Sequence, residues 1–560
     1  MRRFNPLFFL FSYPLVGAMP SAHLSTRDVE GLDWKPCDIP FPEAVKNATT
    51  VPVDCATLEV PLDYTNPKSD KKLQLQLVKV NATEKLVKGS VIFNPGGPGS
   101  SGVEEVTQKG PLYVKTLGGH FNVIGFDARG TGRTLPFICD TGSAAPDTPE
   151  STKLSRRDNK YPHPYSDVPP SSLYDLLKYQ VWELSAEYAK ICVEPNKENA
   201  TFYGTAFVAR DMLSIVDALK EDGLLRFWGR SYSTILGQTF AAMFPDRVGR
   251  MLLDAVVIPD EYYSGTWLSA LSGVESTILR FFEECVDAGV DYCPLANFTG
   301  PDTTAQSLMD ATVEVWDELA KDPVLVSKDF PIPYLTPGNV SVLLASKAQI
   351  HSALYEPAAF TGMFQVLVPL LNRNFSMWTD PVKPETPEEQ EEPWNISLGP
   401  NFHAIGCSDS AFRADSPEDM YNIVEGQNAQ SSFGEILGPK TWMCARWPVF
   451  AAERYEGEWQ GLNTSFPLLF ANGQWDPITP LTGAWNAASR FNGSRVLTHE
   501  GFGHGVMKQP SDCTNKAIRA YFQDGALPEL GTKCKPNKSS FEQFAIDLEK
   551  GIGTAPWGNE

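Results

Sequence analysis

The sequence lacks several patterns that would assign it to common functional classes. It has no C-x-x-C or H-E-x-x-H spacing, so no zinc site of the usual kinds is predicted. Its glycine-rich loop at 94–99 is not followed by the Lys-Ser/Thr pair of a phosphate-binding P-loop. Positive charge is scarce, because 47 Lys and Arg stand against 68 Asp and Glu, a formal net charge of -21. Such a surface repels phosphate backbones. We therefore predict no metal, no cofactor and no nucleic-acid partner.

The N-terminus has the composition of a secretory signal. Arg2 and Arg3 form a positively charged start, and the apolar run from Leu7 to Val16 is too short to span a bilayer. A small residue at Ala22 offers a cleavage site, and no later segment reaches membrane-spanning length. We therefore expect a signal peptide over residues 1–22 and a secreted, extracellular protein without a membrane span.

Cysteine and asparagine usage agree with secretion. The ten cysteines fall into locally spaced couples, so disulfides are expected, although spacing alone does not establish their connectivity. The couples are Cys37 and Cys55, Cys285 and Cys293, Cys407 and Cys444, and Cys513 and Cys534, with Cys139 and Cys192 as the remaining pair. Ten Asn-x-Ser/Thr sequons, a high density, predict N-glycosylation at Asn47, Asn81, Asn199, Asn297, Asn339, Asn374, Asn395, Asn463, Asn492 and Asn537.

Short apolar strands alternate with helical segments on both sides of a long helical stretch. Strand patterns lie at 56–64, 73–80, 90–93, 122–127, 250–257, 465–473 and 494–499. This alternation predicts an α/β fold with a doubly wound, mostly parallel sheet. The 560 residues exceed one simple domain. We predict a core over 30–258 and 462–545, and a mostly helical cap at 259–461 that includes one long helix over 341–371.

One stretch has the pattern of a catalytic nucleophile. An apolar run ends at Gly229 and a helix-forming segment begins at Thr234, which is the strand–turn–helix setting of a G-x-S-x-G nucleophile elbow. The turn presents the Oγ of Ser231 away from the sheet and needs small neighbours, here Gly229 and Ser233. Gly-x-Ser-x-small is a weak signal by itself, since an ordinary serine in a strand-to-helix turn has the same pattern. The prediction of a nucleophile therefore depends on whether the sequence also supplies a base, an acid and an oxyanion hole.

An acid and a base follow in the order that this topology requires. Asp476 comes directly after a late strand, and His504 lies in a glycine-rich loop after the last one. We predict Ser231 as the nucleophile, His504 as the general base and Asp476 as the carboxylate that orients the imidazole. The competing histidine, His499, lies within a strand and is less free to reach the elbow.

The loop at 94–99, Asn-Pro-Gly-Gly-Pro-Gly, follows a buried strand and is predicted to form the oxyanion hole. Its glycines expose backbone N–H groups, and its prolines hold those groups rigid. A plain tight turn would explain less of the glycine and proline density. We expect the N–H of Gly96 or Gly97 to act together with the N–H of Tyr232.

Together these segments resemble the α/β-hydrolases and, among them, the proline-iminopeptidase-like serine peptidases with their secreted tripeptidyl-aminopeptidase branch. The resembling pieces are Asn94-Pro-Gly-Gly-Pro-Gly99, Asp127-Ala-Arg-Gly-Thr-Gly132, Gly229-Arg-Ser-Tyr-Ser233, Asp476-Pro-Ile-Thr-Pro480, Gly503-His504-Gly505 and the tail from Cys513 to Cys534. The resemblance covers residues 50–535 and is least in the cap. It implies an α/β-hydrolase fold and the release of short peptides from free N-termini. Arg230 and Ser233 depart from the family pattern and weaken what it implies about the substrate.

Removal of N-terminal peptides needs a carboxylate that binds the substrate ammonium group. The candidates are Glu104, Glu105, Asp260 and Glu261, each of which is equally an ordinary surface acid. The expected partner is a peptide or a small acyl substrate. A secreted esterase or other acyl hydrolase with the same triad is the alternative, because a shared fold does not fix the substrate. A catalytically inactive binding protein on a hydrolase scaffold is a third hypothesis. The sequence does not indicate an oligomeric state.

Overall fold

A ten-stranded mixed sheet forms the centre of the fold. The structure is a computed structural model, and it describes residues 31–38, 41, 43–139, 174, 177–178, 181–328, 330, 340–381 and 398–550. The strands are β1 Lys35–Pro36, β2 Asp54–Pro61, β3 Lys72–Val80, β4 Ser90–Asn94, β5 Asn122–Phe126, β6 Leu225–Arg230, β7 Val248–Asp254, β8 Leu469–Trp475, β9 Arg495–Phe502 and β10 Lys533–Cys534. Their spatial order is β1-β2-β3-β5-β4-β6-β7-β8-β9-β10. The β1-β2, β2-β3 and β3-β5 pairs are antiparallel, and the pairs from β5 to β10 are parallel. The predicted mostly parallel sheet is confirmed.

The two faces of the sheet pack against separate apolar layers. Along β4, Ile92 contributes to the layer on one face, whereas Val91 and Phe93 contribute to the layer on the other. Every residue of β4 is buried, because parallel strands are covered on both faces, and this agrees with the apolar run 91–93 at its centre. The antiparallel strand β2 alternates buried and exposed residues instead.

Helices cover both faces and fill the segment between β7 and β8. The helices that precede β7 are α1 Glu43–Ala48, α2 Gly102–Thr116, α3 Trp182–Val193, α4 Thr205–Leu219 and α5 Tyr232–Met243. Between β7 and β8 lie α6 Pro259–Ser264, α7 Val274–Ala288, α8 Ala305–Lys321, α9 Val342–Leu354, α10 Phe360–Leu371, α11 Ser376–Thr379, α12 Leu398–Phe402, α13 Tyr421–Gln430 and α14 Gly434–Ala445. A π-helical segment, His403–Cys407, continues α12. The C-terminal helices are α15 Leu481–Ala488, α16 Asp512–Asp524 and α17 Ser540–Glu549.

The inserted helices share an apolar core of their own, and that core extends beyond the predicted cap. It includes Trp182 of α3 and Phe541 of α17, which lie outside residues 259–461. The division into core and cap therefore stays a prediction. The single helix expected over 341–371 is wrong, because the chain breaks between α9 and α10 at Pro357, which lacks the N–H that a continuing helix needs.

All five expected disulfides are present: Cys37–Cys55, Cys139–Cys192, Cys285–Cys293, Cys407–Cys444 and Cys513–Cys534. Such bridges are typical of proteins that fold in an oxidising compartment. Seven sequon asparagines are exposed and Asn199 is half-buried, whereas Asn339, Asn395 and the expected signal peptide lie outside the described residues. Within the described ranges, no helix combines the length and the apolar character needed to cross a bilayer. Glycosylation stays a prediction.

Candidate active site

Ser231 occupies the sharp turn between β6 and α5. Its φ of 59° and ψ of -128° are a conformation that a non-glycine residue rarely adopts. The amide N of Ser231 donates to the carbonyl O of Asp254 at 2.9 Å, and the amide N of Thr234 donates to the carbonyl O of Ser231 at 2.8 Å. These bonds hold the strained turn, and Ser231 remains half-exposed. Strain at this position is what a nucleophile elbow requires.

The two small neighbours of Ser231 are small for different reasons. A Cβ atom added at Gly229 would lie 2.4 Å from the Cε1 of Phe227 and 2.5 Å from the carbonyl O of Ser233, so only glycine fits there. The side chain of Ser233 does fit, and its Oγ donates to the buried Oδ1 of Asn94. The Oδ1 of Asn94 also accepts from the amide N of Gly96 at 3.2 Å. The departure from the family pattern therefore connects the elbow helix to the glycine-rich loop.

The glycine-rich loop lies directly against the elbow. A Cβ atom added at Gly96 would lie 2.9 Å from the Cβ of Ser231 and 3.1 Å from the amide N of Tyr232. The N–H of Gly96 is used by Asn94, whereas that of Gly97 makes no hydrogen bond to the described residues. Tyr232 is the first residue of α5, so its N–H has no acceptor within the helix. The amides of Gly97 and Tyr232 are therefore the two available donors.

Residues 97–102 also have the Gly-x-Gly-x-x-Gly spacing of dinucleotide-binding loops, which the sequence reasoning missed. Protein contacts account for the glycines that end this spacing. A Cβ atom added at Gly99 would lie 2.4 Å from the Cβ of Asn401, and one at Gly102 would lie 2.3 Å from the carbonyl O of Phe126. The spacing is thus explained by close packing of the loop and of α2.

The acid and the base form a buried pair. The Nδ1 of His504 lies 3.0 Å from the Oδ2 and 3.1 Å from the Oδ1 of Asp476. The Oδ1 of Asp476 accepts from the amide N atoms of Ile478 at 3.0 Å and Thr479 at 2.9 Å, and its Oδ2 accepts from the Oγ1 of Thr479 at 2.8 Å. The carboxylate is therefore fixed on both oxygens, and it faces the nitrogen whose proton it must hold. The hydroxyl of Thr479 was not anticipated from the sequence.

The loop of His504 is anchored to the break between α9 and α10. The amide N of His504 donates to the carbonyl O of Tyr355 at 2.9 Å, and the two rings meet edge to face with centroids 5.1 Å apart. The flanking residues Gly503 and Gly505 have φ values of 87° and 112°, which glycine adopts without strain. The helix break that the sequence reasoning missed thus supplies the carbonyl that holds the base.

Asp254 joins the two halves of the site at the end of β7. Its carbonyl O accepts from the amide N of Ser231, and its Oδ1 accepts from the amide N of Val506 at 2.9 Å. One residue therefore fixes both the nucleophile and the loop of His504. Burial raises the pKa of the Asp254 carboxyl.

Arg230 lies behind the elbow. Its Nη2 donates to the Oε1 of Glu105 at 3.2 Å, and the Nε1 of Trp228 approaches the Oδ2 of Asp254 at 3.5 Å in the same region. Burial opposes the charge of Arg230, but the surrounding Tyr113, Glu105 and Asp254 raise its pKa. Arg230 therefore supports the elbow as one side of an ion pair.

Two other buried histidines do not compete with His504. The Nδ1 of His499 is 3.0 Å from the Oγ1 of Thr514, and burial lowers the pKa of His499 to about 4. The Nε2 of His351 donates to the carbonyl O of Pro477 at 3.3 Å, and burial likewise lowers its pKa to about 4. Burial therefore disfavours the charged form of both rings, and neither ring is hydrogen-bonded to a carboxylate of the described residues.

Three of the four candidate amine-binding carboxylates already have partners. Glu105 is bound by Arg230, Asp260 accepts from the Nη2 of Arg490 at 2.6 Å, and Glu261 accepts from the backbone and hydroxyl of Ser269. Glu104 is half-exposed in the first turn of α2. Partial burial is the main cause that raises its pKa, and the negative charge of Glu105 raises it further. Among the described residues, Glu104 forms no ion pair, and its side-chain hydrogen bond is a long one, from the Nε2 of Gln108 to its Oε1 at 3.4 Å.

A further buried carboxylate lies beneath the elbow helix. Asp409 accepts from the amide N of Thr205 at 3.0 Å and from the hydroxyl of Tyr262 at 2.8 Å. The Oγ1 of Thr205 in turn lies 2.6 Å from the hydroxyl of Tyr232. Burial raises the pKa of Asp409 to about 6, although the hydrogen bonds from Thr205 and Tyr262 oppose the increase.

The sheet topology and the elbow define the class of protein, and two family models agree with them. A model described as alpha/beta hydrolase fold matches residues 89–271, and one described as TAP-like protein matches residues 429–534. The chain has the α/β-hydrolase fold, and its C-terminal part is similar to TAP-like proteins. The predicted family resemblance is confirmed.

Individual relatives share about a quarter of their residues with this chain. A tripeptidyl aminopeptidase of Streptomyces coelicolor is 26% identical over 521 residues, which cover 90% of this chain and 86% of the relative. Serine protease Hip1 of Mycobacterium tuberculosis is 28% identical over 517 residues, which cover 90% and 91%. A protein named Carboxylesterase B from the same species is 26% identical over 496 residues and 86% of each chain. A solved serine hydrolase of Cycloclasticus zankles covers 84% of this chain and 98% of its own at 10% identity, with a TM-score of 0.34.

Proposed function

We propose that this protein is a secreted serine exopeptidase that releases short peptides from free N-termini. Ser231 is the nucleophile, His504 the general base and Asp476 the orienting acid. The observation that carries the proposal is the strained elbow at Ser231 beside a buried Asp476–His504 pair whose imidazole faces a fixed carboxylate. The relatives named tripeptidyl aminopeptidase and serine protease support a peptide substrate.

The reaction follows from the hydrogen bonds around the triad. The Nδ1–H of His504 donates to Asp476, which leaves Nε2 unprotonated. Nε2 takes the proton of the Ser231 hydroxyl while Oγ attacks the scissile carbonyl carbon, and the imidazolium then gives that proton to the leaving amine. Water attacks the acyl-enzyme by the same route, releases the N-terminal peptide as its acid and restores the Ser231 hydroxyl.

The oxyanion of both tetrahedral intermediates is bound by two backbone amides. We assign them to Gly97 and Tyr232, because the N–H of Gly96 is already donated to Asn94. Gly96 contributes through its lack of a side chain, which lets the loop approach Ser231. Loss of one such donor typically slows the chemical step by about 100-fold to 1,000-fold.

Glu104 is the carboxylate that we propose for the substrate ammonium group. It lies five residues after the glycine-rich loop and two residues after Gly102, the first residue of α2. The other three candidates are bound by Arg230, Arg490 or Ser269. The helices at 259–461 act as a cap that limits access to short peptides. The disulfides agree with a chain that folds outside the reducing cytosol.

The test uses one peptide in free and N-acetylated forms, with the products identified by mass spectrometry. We expect cleavage of the free form alone, with release of N-terminal di- or tripeptides. Ser231→Ala must abolish the products, and Ser489→Ala serves as a matched control because it removes the hydroxyl of an exposed serine that bonds only the carbonyl O of Asn486. Equal cleavage of the acetylated peptide would contradict the exopeptidase assignment.

An acyl hydrolase that acts on esters is the second candidate. The relative named Carboxylesterase B favours it, since that protein matches 86% of this chain. The same triad cleaves esters and amides. Hydrolysis of a simple ester, with neither form of the peptide cleaved, would replace the peptidase by this alternative.

A further inference from the structure

Lys440 lies on an inserted helix that is linked to the candidate active site by a disulfide. It belongs to α14, one helical turn before Cys444. The disulfide Cys407–Cys444 joins this part of α14 to the π-helical segment His403–Cys407. That segment lies over the glycine-rich loop, because a Cβ atom added at Gly406 would be 3.9 Å from the Cγ of Pro98. The position of Lys440 is therefore fixed relative to the oxyanion side of the site.

Two parts of the candidate site lie near the ammonium group of Lys440. Its Nζ lies 4.9 Å from the ring centroid of Phe402, whose neighbour Asn401 packs against Gly99 of the glycine-rich loop. The helix of Lys440, α14, also packs against α9, the helix that carries His351. Burial is the main reason for the low pKa of that imidazole, and the charge of Lys440 lowers it further.

His351 connects Lys440 to the acid and base side of the site. Its Nε2 donates to the carbonyl O of Pro477, the residue after Asp476. Its ring lies 5.3 Å from that of Tyr355, which in turn packs 5.1 Å from the ring of His504. Lys440 is thus linked through Phe402 and Asn401 to the glycine-rich loop, and through His351 and Tyr355 to the side of the site that holds Asp476 and His504.

The charge of Lys440 is not compensated within the part of the chain that the structure describes. No carboxylate there lies within ion-pair distance of its Nζ, although the side chain is half-buried. Burial lowers its pKa. A cation–π contact such as that with Phe402 offsets only part of what desolvation of an ammonium group costs.

Other lysines of the inserted helices have partners. Lys347 is almost fully buried, but its Nζ donates to the carbonyl O of Ser432 at 2.6 Å. Lys321 is exposed and pairs with Asp317 on its own helix. Among the lysines of the inserted helices that the structure describes, Lys440 is therefore the one without a hydrogen bond or an ion pair to described residues.

We propose that Lys440 binds a carboxylate of the substrate and so selects anionic peptides. The proposal rests on the function proposed above, because it concerns what the same cleft accepts. The carboxylate has two chemical sources, the free C-terminus of a short peptide and an acidic side chain near the scissile bond. Either would form a charge-assisted hydrogen bond with Nζ, which is the strong kind.

The test measures kcat/KM for matched peptide pairs that differ by one charge. In one pair the C-terminus is a free acid or an amide, and in the other an internal residue is Glu or Gln. A pair of acyl esters with a free or methylated carboxylate on the acyl chain is measured in parallel. Each pair is tested with the wild type, Lys440→Met, Lys440→Arg and the exposed-lysine control Lys321→Gln.

We expect the wild type to prefer the anionic member of one peptide pair by about tenfold or more. The preference should fall below twofold in Lys440→Met and persist in Lys440→Arg and Lys321→Gln. Because the ratio is taken within one variant, a general loss of activity or of folded protein cancels. The pair that shows the preference identifies the C-terminal or the side-chain carboxylate as the source.

The two ways of failing are distinct. If the wild type cleaves peptides without preference for an anionic member, or if Lys440→Met keeps that preference, the assignment of Lys440 is wrong while the peptidase stands. If no peptide is cleaved, the proposed function fails, and the ester pair decides about Lys440 by the same ratio: a preference lost in Lys440→Met supports it, and an unchanged ratio overturns it.

Discussion

Replacement of Thr479 by valine tests whether the fixed carboxylate of Asp476 matters for catalysis. The change removes the hydroxyl that donates to the Oδ2 of Asp476 at 2.8 Å and lies 3.2 Å from the Nδ1 of His504, and it preserves the shape of the side chain. A hydrogen bond to a charged group contributes about 1.5–3 kcal/mol. The backbone amides of Ile478 and Thr479 still hold Oδ1. We therefore expect the lower end of that range, which corresponds to about a tenfold decrease in kcat/KM.

The assay measures kcat and KM separately for the hydrolysis of one chromogenic ester or peptide. Thr479→Ser is the matched control. Serine keeps the hydroxyl and loses only a methyl group, so Thr479→Ser should stay within about threefold of the wild type. The decrease in Thr479→Val should be in kcat, because Asp476 does not touch the substrate. Equal kcat/KM values for the valine and serine variants would refute the reasoning.

Three further predictions concern Gly96, Arg230 and Asp409. Gly96→Ala would place a Cβ atom 2.5 Å from the carbonyl O of Arg230, so we expect kcat to fall about 100-fold or more; Gly300→Ala is the control, since it has a similar φ of 110° with no atom within 4 Å, and an equal decrease there would contradict the argument. Arg230→Met leaves the carboxylate of Glu105 without its guanidinium partner, and urea denaturation should give a free energy of unfolding lower by roughly 3 kcal/mol; Glu105→Gln in the same chain should restore part of it. Burial raises the pKa of Asp409 from 3.8 to about 6, so the folded state binds this proton more tightly than the unfolded state does. As pH falls from 7 to 4, the free energy of unfolding of the wild type should therefore increase by up to about 3 kcal/mol relative to that of Asp409→Asn. A decrease over that pH range would contradict the argument.

The sequence predicted the parts of the fold that depend on local periodicity. The strands from β2 to β9 were expected within a few residues, because each is a short apolar run or an alternating one bounded by turn residues. The disulfide couples were found because most of them close short loops, which sequence spacing makes visible. The two-residue strands β1 and β10 carry no such pattern, and α2 was missed because Gly110 and Pro111 interrupt it.

The candidate site was predictable as an order of residues and not as a network. Ser231, Asp476 and His504 follow from their positions after successive strands. The bonds that support them join segments far apart in the chain, as in the contact of Ser233 with Asn94 and that of Val506 with Asp254. No spacing rule indicates such pairs. The isolated charge of Lys440 likewise appears only when its neighbours are known.

The placement of β8 and β9 has a consequence for how the protein becomes active. These strands pair beside β7 in the sheet, yet the chain supplies them only after all the inserted helices have been made. A chain synthesised from its N-terminus therefore carries its nucleophile long before Asp476 and His504 exist. Any polypeptide that stops within the inserted helices has an elbow with nothing to take the proton from Ser231. With the proposed triad, an incomplete chain lacks both the base and the acid, so we expect hydrolase activity to arise only after β8 and β9 have been made.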